Sequence, residues 1–464
     1  MKDRKSDIMI YRGSSQVGGC CTEICTGESR ILIDFGANLP GADKAAEIKD
    51  SEMLPKVFGS RREGAVLFTH YHGDHYGLFK EIPEDVPMYI GHLAKNILQI
   101  LVSYIDRDTR EKGLPLVERM RTYEAGKWFM PVPGIQVLPL YVDHSALDSY
   151  MFCIKVCGKT ILFTGDFREH GIVGQRGRLE RVLKKYVPGP VDVLITEGTM
   201  LGRTGEVGDV LVKSERELGR EAKKLFQKHK YNFVLVSSTN LDSIMEFYHN
   251  TPENMHFVCD LYQARIMITA MRDMDAKGSF PEYQPSKQHP VVRVLGKPDS
   301  RWAKLRKIGD SMEKPLWFRS ITEEELKEDG FVLLARKNTC PQDYISPFEA
   351  LRDKFFDKDG QIIYSMWQGY LEEKYADGDL LRFIGGRPYK SLHTSGHAYV
   401  KTIAGLFKLV NPKIIIPMHT EHPNDFLSVP EFAPYHDRVQ VLRDGVRFSL
   451  DGLLEKTSGR NGVG

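Results

Sequence analysis

The chain reads as an α/β protein made of two sheets covered by helices, with a second α/β unit following in sequence. Three features predict this. Short apolar strands are interspersed with amphipathic helices. Several strands end in a histidine or a carboxylate. After about residue 205 helix and strand begin to alternate regularly, the pattern of a parallel sheet. At 464 residues the chain exceeds one ordinary core and suggests two or three compact units.

The elements follow in order. IMIYRG, CTEICTG and SRILIDFGA read as strands with glycine at the bends. GAVLFTH and VPMYIG are two more, and residues 93–123 read as one amphipathic helical stretch. GIQVLPLYVDH, SYMFCIKV, KTILFTGD and VDVLITEG return to strand, with Cys153 and Cys157 in a hairpin whose thiols suit apolar packing. Then SERELGREAKKLFQKHK reads as a charged helix, YNFVLVSSTN as a strand and LDSIMEFYHN as a helix. MHFVCD, PVVRVLG and FVLLAR continue the alternation to about GGRPYKS. SLHTSGHA, YVKTIAGLFKLVN and PKIIIPMHT close the chain as strand, helix and strand, before a Gly-rich tail from Ser458 expected to be disordered. There are no internal repeats.

Composition sets bounds. The net charge is +2, so the molecule is no polycation, and any nucleic acid must be met by a local positive groove. The N-terminal segment lacks an apolar core for a secretory signal, and no apolar run reaches a membrane span, so a cytoplasmic location is expected. Seven scattered cysteines argue against a disulfide framework, and none is spaced as a zinc finger.

The chemistry concentrates in His70-Tyr71-His72-Gly73-Asp74-His75. Side chains at i and i+2 of an extended strand share a face, so His70 and His72 project together beyond AVLFT. Gly73 allows a tight turn, and Asp74 and His75 follow. Imidazole and carboxylate together suit zinc or a similar cation. His144, Asp166 and His419 each end another strand and complete a ligand set. Arg168 and His170 follow Asp166, on a loop that is either phosphate-binding or merely solvated. Ser238 and Asn240 precede a helix start, where backbone N–H groups can cradle a phosphate or the two can simply cap. The lysines at 223, 224, 228 and 230 fit a wet helix face, and Trp302 in RWAKLRK (301–307) could stack on a base.

With Asp34 before it and His144 and Asp166 after it, H-Y-H-G-D-H resembles the metallo-β-lactamase superfamily. The resemblance implies an αββα sandwich with two divalent metal ions at one edge, zinc first, manganese or magnesium as alternatives. It implies that His70, His72 and His144 hold one ion, that Asp74 and His75 hold the other, and that Asp166 bridges. Asp34 would orient ligands. Glu197 in VLITEGT, His393 in SLHTSGHA and His419 in IIPMHTEHP resemble the three further motifs of the β-CASP nucleases, ribonuclease J among them. That implies an inserted β-CASP domain, giving 1–205 and 386–457 as the two parts of the lactamase domain, 206–385 as the insert and 458–464 as the tail. His419 would be the last ligand of the second ion. Asp74, Glu197 and His393 would be catalytic, His393 paired with Glu197 as the acid for the leaving 3′-oxygen. Ser395, Gly396 and His397 would hold a substrate phosphate. The resemblance is to a shorter form, expected to lack the further C-terminal domain of ribonuclease J.

The function expected from these residues is cleavage of single-stranded RNA, exonucleolytic from the 5′ end or endonucleolytic, by a hydroxide that two metals activate. RNA would enter between the two domains. The expected assembly is a homo-oligomer, a dimer, without membrane contact. The alternatives are a DNA nuclease or small-phosphodiester hydrolase, and, in another class, a non-catalytic RNA-binding or assembly subunit.

Overall fold

A computed structural model describes residues 5–27, 29–39, 41–42, 46–59, 63–104, 107–175, 177–202, 213–276, 280–296, 317–336 and 347–460. RWAKLRK lies outside them.

Three sheets organise the chain. The first holds β1 (Ser6–Arg12), β2 (Cys21–Thr26), β3 (Arg30–Ile33), β4 (Ala65–Leu67), β5 (Met88–Ile90) and β6 (Arg121–Thr122). The second holds β7 (Phe129–Val132), β8 (Ile135–Val142), β9 (Ser149–Val156), β10 (Lys159–Phe163) and β11 (Val193–Glu197). The third is formed by β12 (Tyr231–Val236), β13 (His256–Cys259), β14 (Val291–Val294), β15 (Trp317–Ser320), β16 (Phe331–Ala335), β17 (Gly360–Ser365) and β18 (Tyr389–Ser391). After it the chain goes back: β19 (Ile414–Met418) extends the second sheet beside β11, and β20 (Arg447–Ser449) extends the first beside β1. The third sheet is thus inserted between two strands that pair in parallel, Val193↔Ile414 through Glu197↔Met418. All its pairings are parallel, as the helix–strand alternation predicts.

Alternation along each strand of the second sheet makes the sandwich. Ile161 and Phe163, Val193 and Ile195, and Ile414 and Ile416 join the core that contains Ile8, Ile10 and Ile33 of the first sheet. Leu162, Leu194 and Ile415 point the other way, against Leu179 and Leu183 of helix Arg178–Tyr186 and Ile403 and Phe407 of helix Val400–Val410. The interior strands are apolar on both faces because both faces are covered. At about 25 cal/mol per Å² of apolar surface, such burial is the main force holding the sheets together. A third core, with Phe233, Leu333, Phe355, Ile362 and Phe383, covers one face of the inserted sheet.

Four details differ from the sequence reading. Residues 93–123 are two helices, His92–Tyr104 and Arg107–Arg119, followed by β6. The inserted sheet runs past 385 to Ser391, because β18 pairs with β17. The last helix, Leu450–Arg460, includes Ser458, so the expected disorder does not begin there. Cys153 is buried in β9, while Cys157 sits half-buried at the hairpin turn with φ 47°. No helix among the described residues is long and apolar enough to cross a membrane.

Candidate metal centre

Each ligand-type side chain stands where a strand leaves the sandwich. Thr69 to His75 follow β4 and end in a single helical turn, Gly73–Tyr76. His144 follows β8, Asp166 follows β10, Glu197 ends β11 and His419 follows β19. Asp34 follows β3. Asp34 and His419 have φ of 63° and 51°, a left-handed backbone that non-glycine residues rarely adopt. Such strain persists where the surroundings over-determine it: His419 N–H donates to Gly13 O at 2.7 Å, and Thr69 N–H donates to Asp34 at 2.7 Å.

The histidines are turned the same way. His75 Nδ1 is 2.8 Å from Asp34 Oδ2, His144 Nδ1 is 2.6 Å from Gly396 O, and His70 Nδ1 is 3.0 Å from Thr69 Oγ1. Thr69 donates its own proton to Asp34, so its oxygen is free to accept from His70. His419 Nδ1 is 2.8 Å from Thr199 Oγ1, whose proton goes to Glu197 at 2.6 Å. In the rings of His75, His144 and His70 the acceptor fixes the proton on Nδ1 and leaves the Nε2 lone pair pointing inward. His75 Nε2 is 3.1 Å from Asp166 Oδ2, and His70 and His144 Nε2 are each 3.9 Å from it. His144 Nε2 faces His72 Nδ1 at 3.1 Å, and His419 Nε2 faces Asp74 Oδ2 at 3.2 Å.

These atoms fit cations. His70 Nε2, His75 Nε2 and Asp166 Oδ1 are buried without a hydrogen-bond partner, a costly state for a polar atom. His72 Nδ1 and His144 Nε2 approach to 3.1 Å, close enough for one to donate to the other or for both to face a cation. Burial, then the neighbouring imidazoles, hold His70 well below the ordinary histidine pKa. Burial brings His72 down to about 4. Both rings are therefore neutral ligands at pH 7. Burial acts against ionisation of Asp166, but His419, His75 and His397 outweigh it and keep the carboxyl well below its usual range. Ligand atoms group within 4.8 Å as His70/His72/His144, as His70/His75/Asp166 and as Asp166/Glu197/His397/His419. A fourth group, Cys20/His75/His419, was not expected from sequence, because Cys20 looks like ordinary core beside Cys21.

The expected His393–Glu197 pair does not form. Glu197 Oε2 meets His397 Nδ1 at 2.9 Å, and its other oxygen takes the Phe167 N–H at 2.8 Å. His397 Nδ1 is also 3.6 Å from Asp166. His397, and not His393, is therefore the histidine beside Glu197 and Asp166. His393 leaves β18 on the inserted sheet, makes its hydrogen bond to the Ser365 backbone and is pushed down to about 4 by burial, then by Arg168. A ring that is neutral at pH 7 is a poor acid.

Arg168 is not on a solvated loop. Its guanidinium is buried among Asp143, Glu215 and Asp242 at 3.4, 2.9 and 2.8 Å, and it donates to Ser395 O at 2.9 Å. His170 holds the same carbonyl at 2.7 Å and stacks on Tyr399. This knot ties strands of the second sheet, the helices Glu215–Phe226 and Leu241–Asn250 and the His397 loop together. Gly396 passes so close that a Cβ there would sit 2.6 Å from Ser145 Oγ. Ser395 Oγ lies 3.1 Å from Met200 Sδ. Asn240 caps helix Leu241–Asn250 by accepting from Ser243 N–H at 3.4 Å, and Ser238 is buried. A cleft of about 1190 Å³ opens over the centre, lined by His72, Asp74, Asp166, His397, Ser237 and Thr239 among others. Lys224 pairs with Glu221 on an exposed face, as a wet helix would.

Residues 17–203 match the metallo-beta-lactamase superfamily. That stretch of the chain is a metallo-beta-lactamase domain. Over most of its length the chain is similar to ribonucleases J. It is 22% identical to a Ribonuclease J of Methanocaldococcus jannaschii over 97% of this chain and 100% of that one. It is 27% identical to a Ribonuclease J of Helicobacter pylori over 88% of this chain, spanning 55% of that relative. A shorter stretch, 36% of this chain, is 34% identical to the Transcription termination factor FttA of Methanosarcina mazei and spans 28% of that protein. A crystal structure of a protein of unknown function from Enterococcus faecalis shares the fold, with TM-score 0.66 and 18% identity over 96% of this chain and 100% of that one.

Proposed function

We propose that the chain is a two-cation phosphodiesterase that cleaves single-stranded RNA, as the names of its ribonuclease J relatives suggest. One observation carries this: ligand atoms from separate strand ends meet around Asp166 with their lone pairs turned inward at the floor of a large cleft. His70, His72 and His144 hold one cation. Asp74, His75 and His419 hold the second, and Asp166 lies between. Two divalent ions, zinc the first candidate for so many imidazoles, supply Lewis acidity for activating water and steadying charge on the phosphate.

The chain's own groups do the rest. His397 delivers a proton to the departing 3′-oxygen, and Glu197 orients its ring through Nδ1 and steadies the positive charge of its protonated form. Thr199 ties Glu197 to His419, so acid and ligand share one hydrogen-bonded frame. His393, Ser237, Thr239 and Asn240, at the N-terminal end of helix Leu241–Asn250, form a polar wall that suits a substrate phosphate. Lys213 and Lys401 add positive charge to the cleft. Trp367 and Tyr370 give it flat apolar surface for bases. The inserted unit and the lactamase unit thus each supply one wall of the RNA path.

The test is cleavage of end-labelled single-stranded RNA, DNA of the same sequence and a chromogenic phosphodiester by zinc- or manganese-loaded protein. RNA should be cut fastest, and Asp166→Asn should abolish cutting while the fold is retained. DNA cut faster than RNA, or full activity in Asp166→Asn, would overturn the proposal.

A further inference from the structure

Cys20 is fully buried, and its backbone is fixed at the edge of the centre. Its N–H donates to Asp74 O at 3.0 Å and its carbonyl accepts from Gly36 N–H at 2.9 Å. The first bond ties it to the turn carrying Asp74 and His75, the second to the bend after Asp34. Its Sγ falls within 4.8 Å of ligand nitrogens of both His75 and His419. A second observation points to a ligand in that space: His75 is 1% exposed, and its buried Nε2, though 3.1 Å from Asp166 Oδ2, makes no hydrogen bond. A buried thiol facing an unpaired imidazole nitrogen and an imidazole held against Asp74 is more than core filler. Cys21, its neighbour, is equally buried but joins no such group among the described residues.

We propose that Cys20 is a sulfur ligand to the cation held by Asp74, His75 and His419, an inference that rests on the metal-centre reading above. As the sulfur–cation bond forms, the thiol proton leaves to solvent. The first position, His70/His72/His144, has only nitrogen donors besides Asp166. The two positions therefore differ in softness, and the second favours zinc, cadmium or cobalt(II) over magnesium or manganese.

The experiment loads the full-length chain with cobalt(II) and records its absorption spectrum alongside the bound cobalt per chain. A thiolate-to-cobalt charge-transfer band in the near ultraviolet is expected. It should be lost in Cys20→Ser and kept in Cys21→Ser. Cadmium NMR of the unmutated chain supplies a readout that needs no variant to fold: one of two resonances should lie in the sulfur-ligated range. Two bound ions with no such band and no such resonance, or a band that survives in folded Cys20→Ser, overturn the proposal and leave the centre standing. A chain that binds no cobalt at all overturns both.

Discussion

His393 and His397 share one short loop, and residue type alone could not assign their duties. The backbone decides: His393 has barely left the inserted sheet, while His397 has reached Glu197 and Asp166. His397→Ala should therefore lower kcat for RNA cleavage by roughly 10²–10⁴-fold, the usual contribution of a positioned acid, with bound metal unchanged. His393→Ala should mainly raise KM. Steady-state kinetics with metal analysis separates the two, and the opposite pattern would restore the pairing expected from sequence. The candidate ligand residues stand out in the sequence, because imidazoles and carboxylates placed just beyond apolar runs have few other reasons to be there, and the structure brings them together. Cys20 does not stand out, since a thiol among apolar residues looks the same whether it fills a core or faces a cation.

At the level of elements, the centre depends on loops that approach one another without side chains between them. A Cβ on Gly36 would run into the Asp74 carbonyl. Gly36→Ala should cost roughly 1–3 kcal/mol, as overpacking does, and weaken metal retention as well, measurable by urea denaturation with and without zinc. Arg168 is the corresponding electrostatic joint. Arg168→Met leaves Asp143, Glu215 and Asp242 buried without their cation and should destabilise the chain by about 3–5 kcal/mol in the same assay. Nothing in TGDFREHG announces this, because the three carboxylates come from other elements. Beside this knot, burial, then Glu215 and Asp242, push Glu246 up to about 8, against a weaker pull from Arg216. A raised carboxyl pKa means the native state holds a proton that the unfolded chain releases. Its stabilising effect is complete below the ordinary glutamate value of 4.5 and is lost as pH rises through about 8. Glu246→Gln should therefore flatten the fall of Tm across that window, and an unchanged slope would contradict the assignment.

For the whole molecule, the α/β class and the start of a second unit were readable from strand pattern and the change of rhythm near residue 205, while its being an insert came only from the resemblance to the β-CASP nucleases. The return of β19 to β11 across the inserted sheet was not visible in the spacing, because pairing between strands so distant in sequence leaves no local signal. That 93–123 carries two helices, His92–Tyr104 and Arg107–Arg119, and then β6 was equally hidden by a continuous amphipathic pattern. The same topology brings ligands from opposite ends of the chain, His70 and His419, to one place, so the ions should also act as a clasp on the fold. Ligands that bind only the native state stabilise it in proportion to the logarithm of their concentration over Kd. Stripping the chain with a chelator should lower Tm, and added zinc should restore it.

The most direct measurement is metal content per chain, by elemental analysis of purified protein, in the unmutated chain and in Asp166→Asn. Two ions per folded chain, with Asp166→Asn losing at least one while keeping its fold, is the predicted result. A folded, unmutated chain that retains no divalent ion after incubation with zinc would contradict the account.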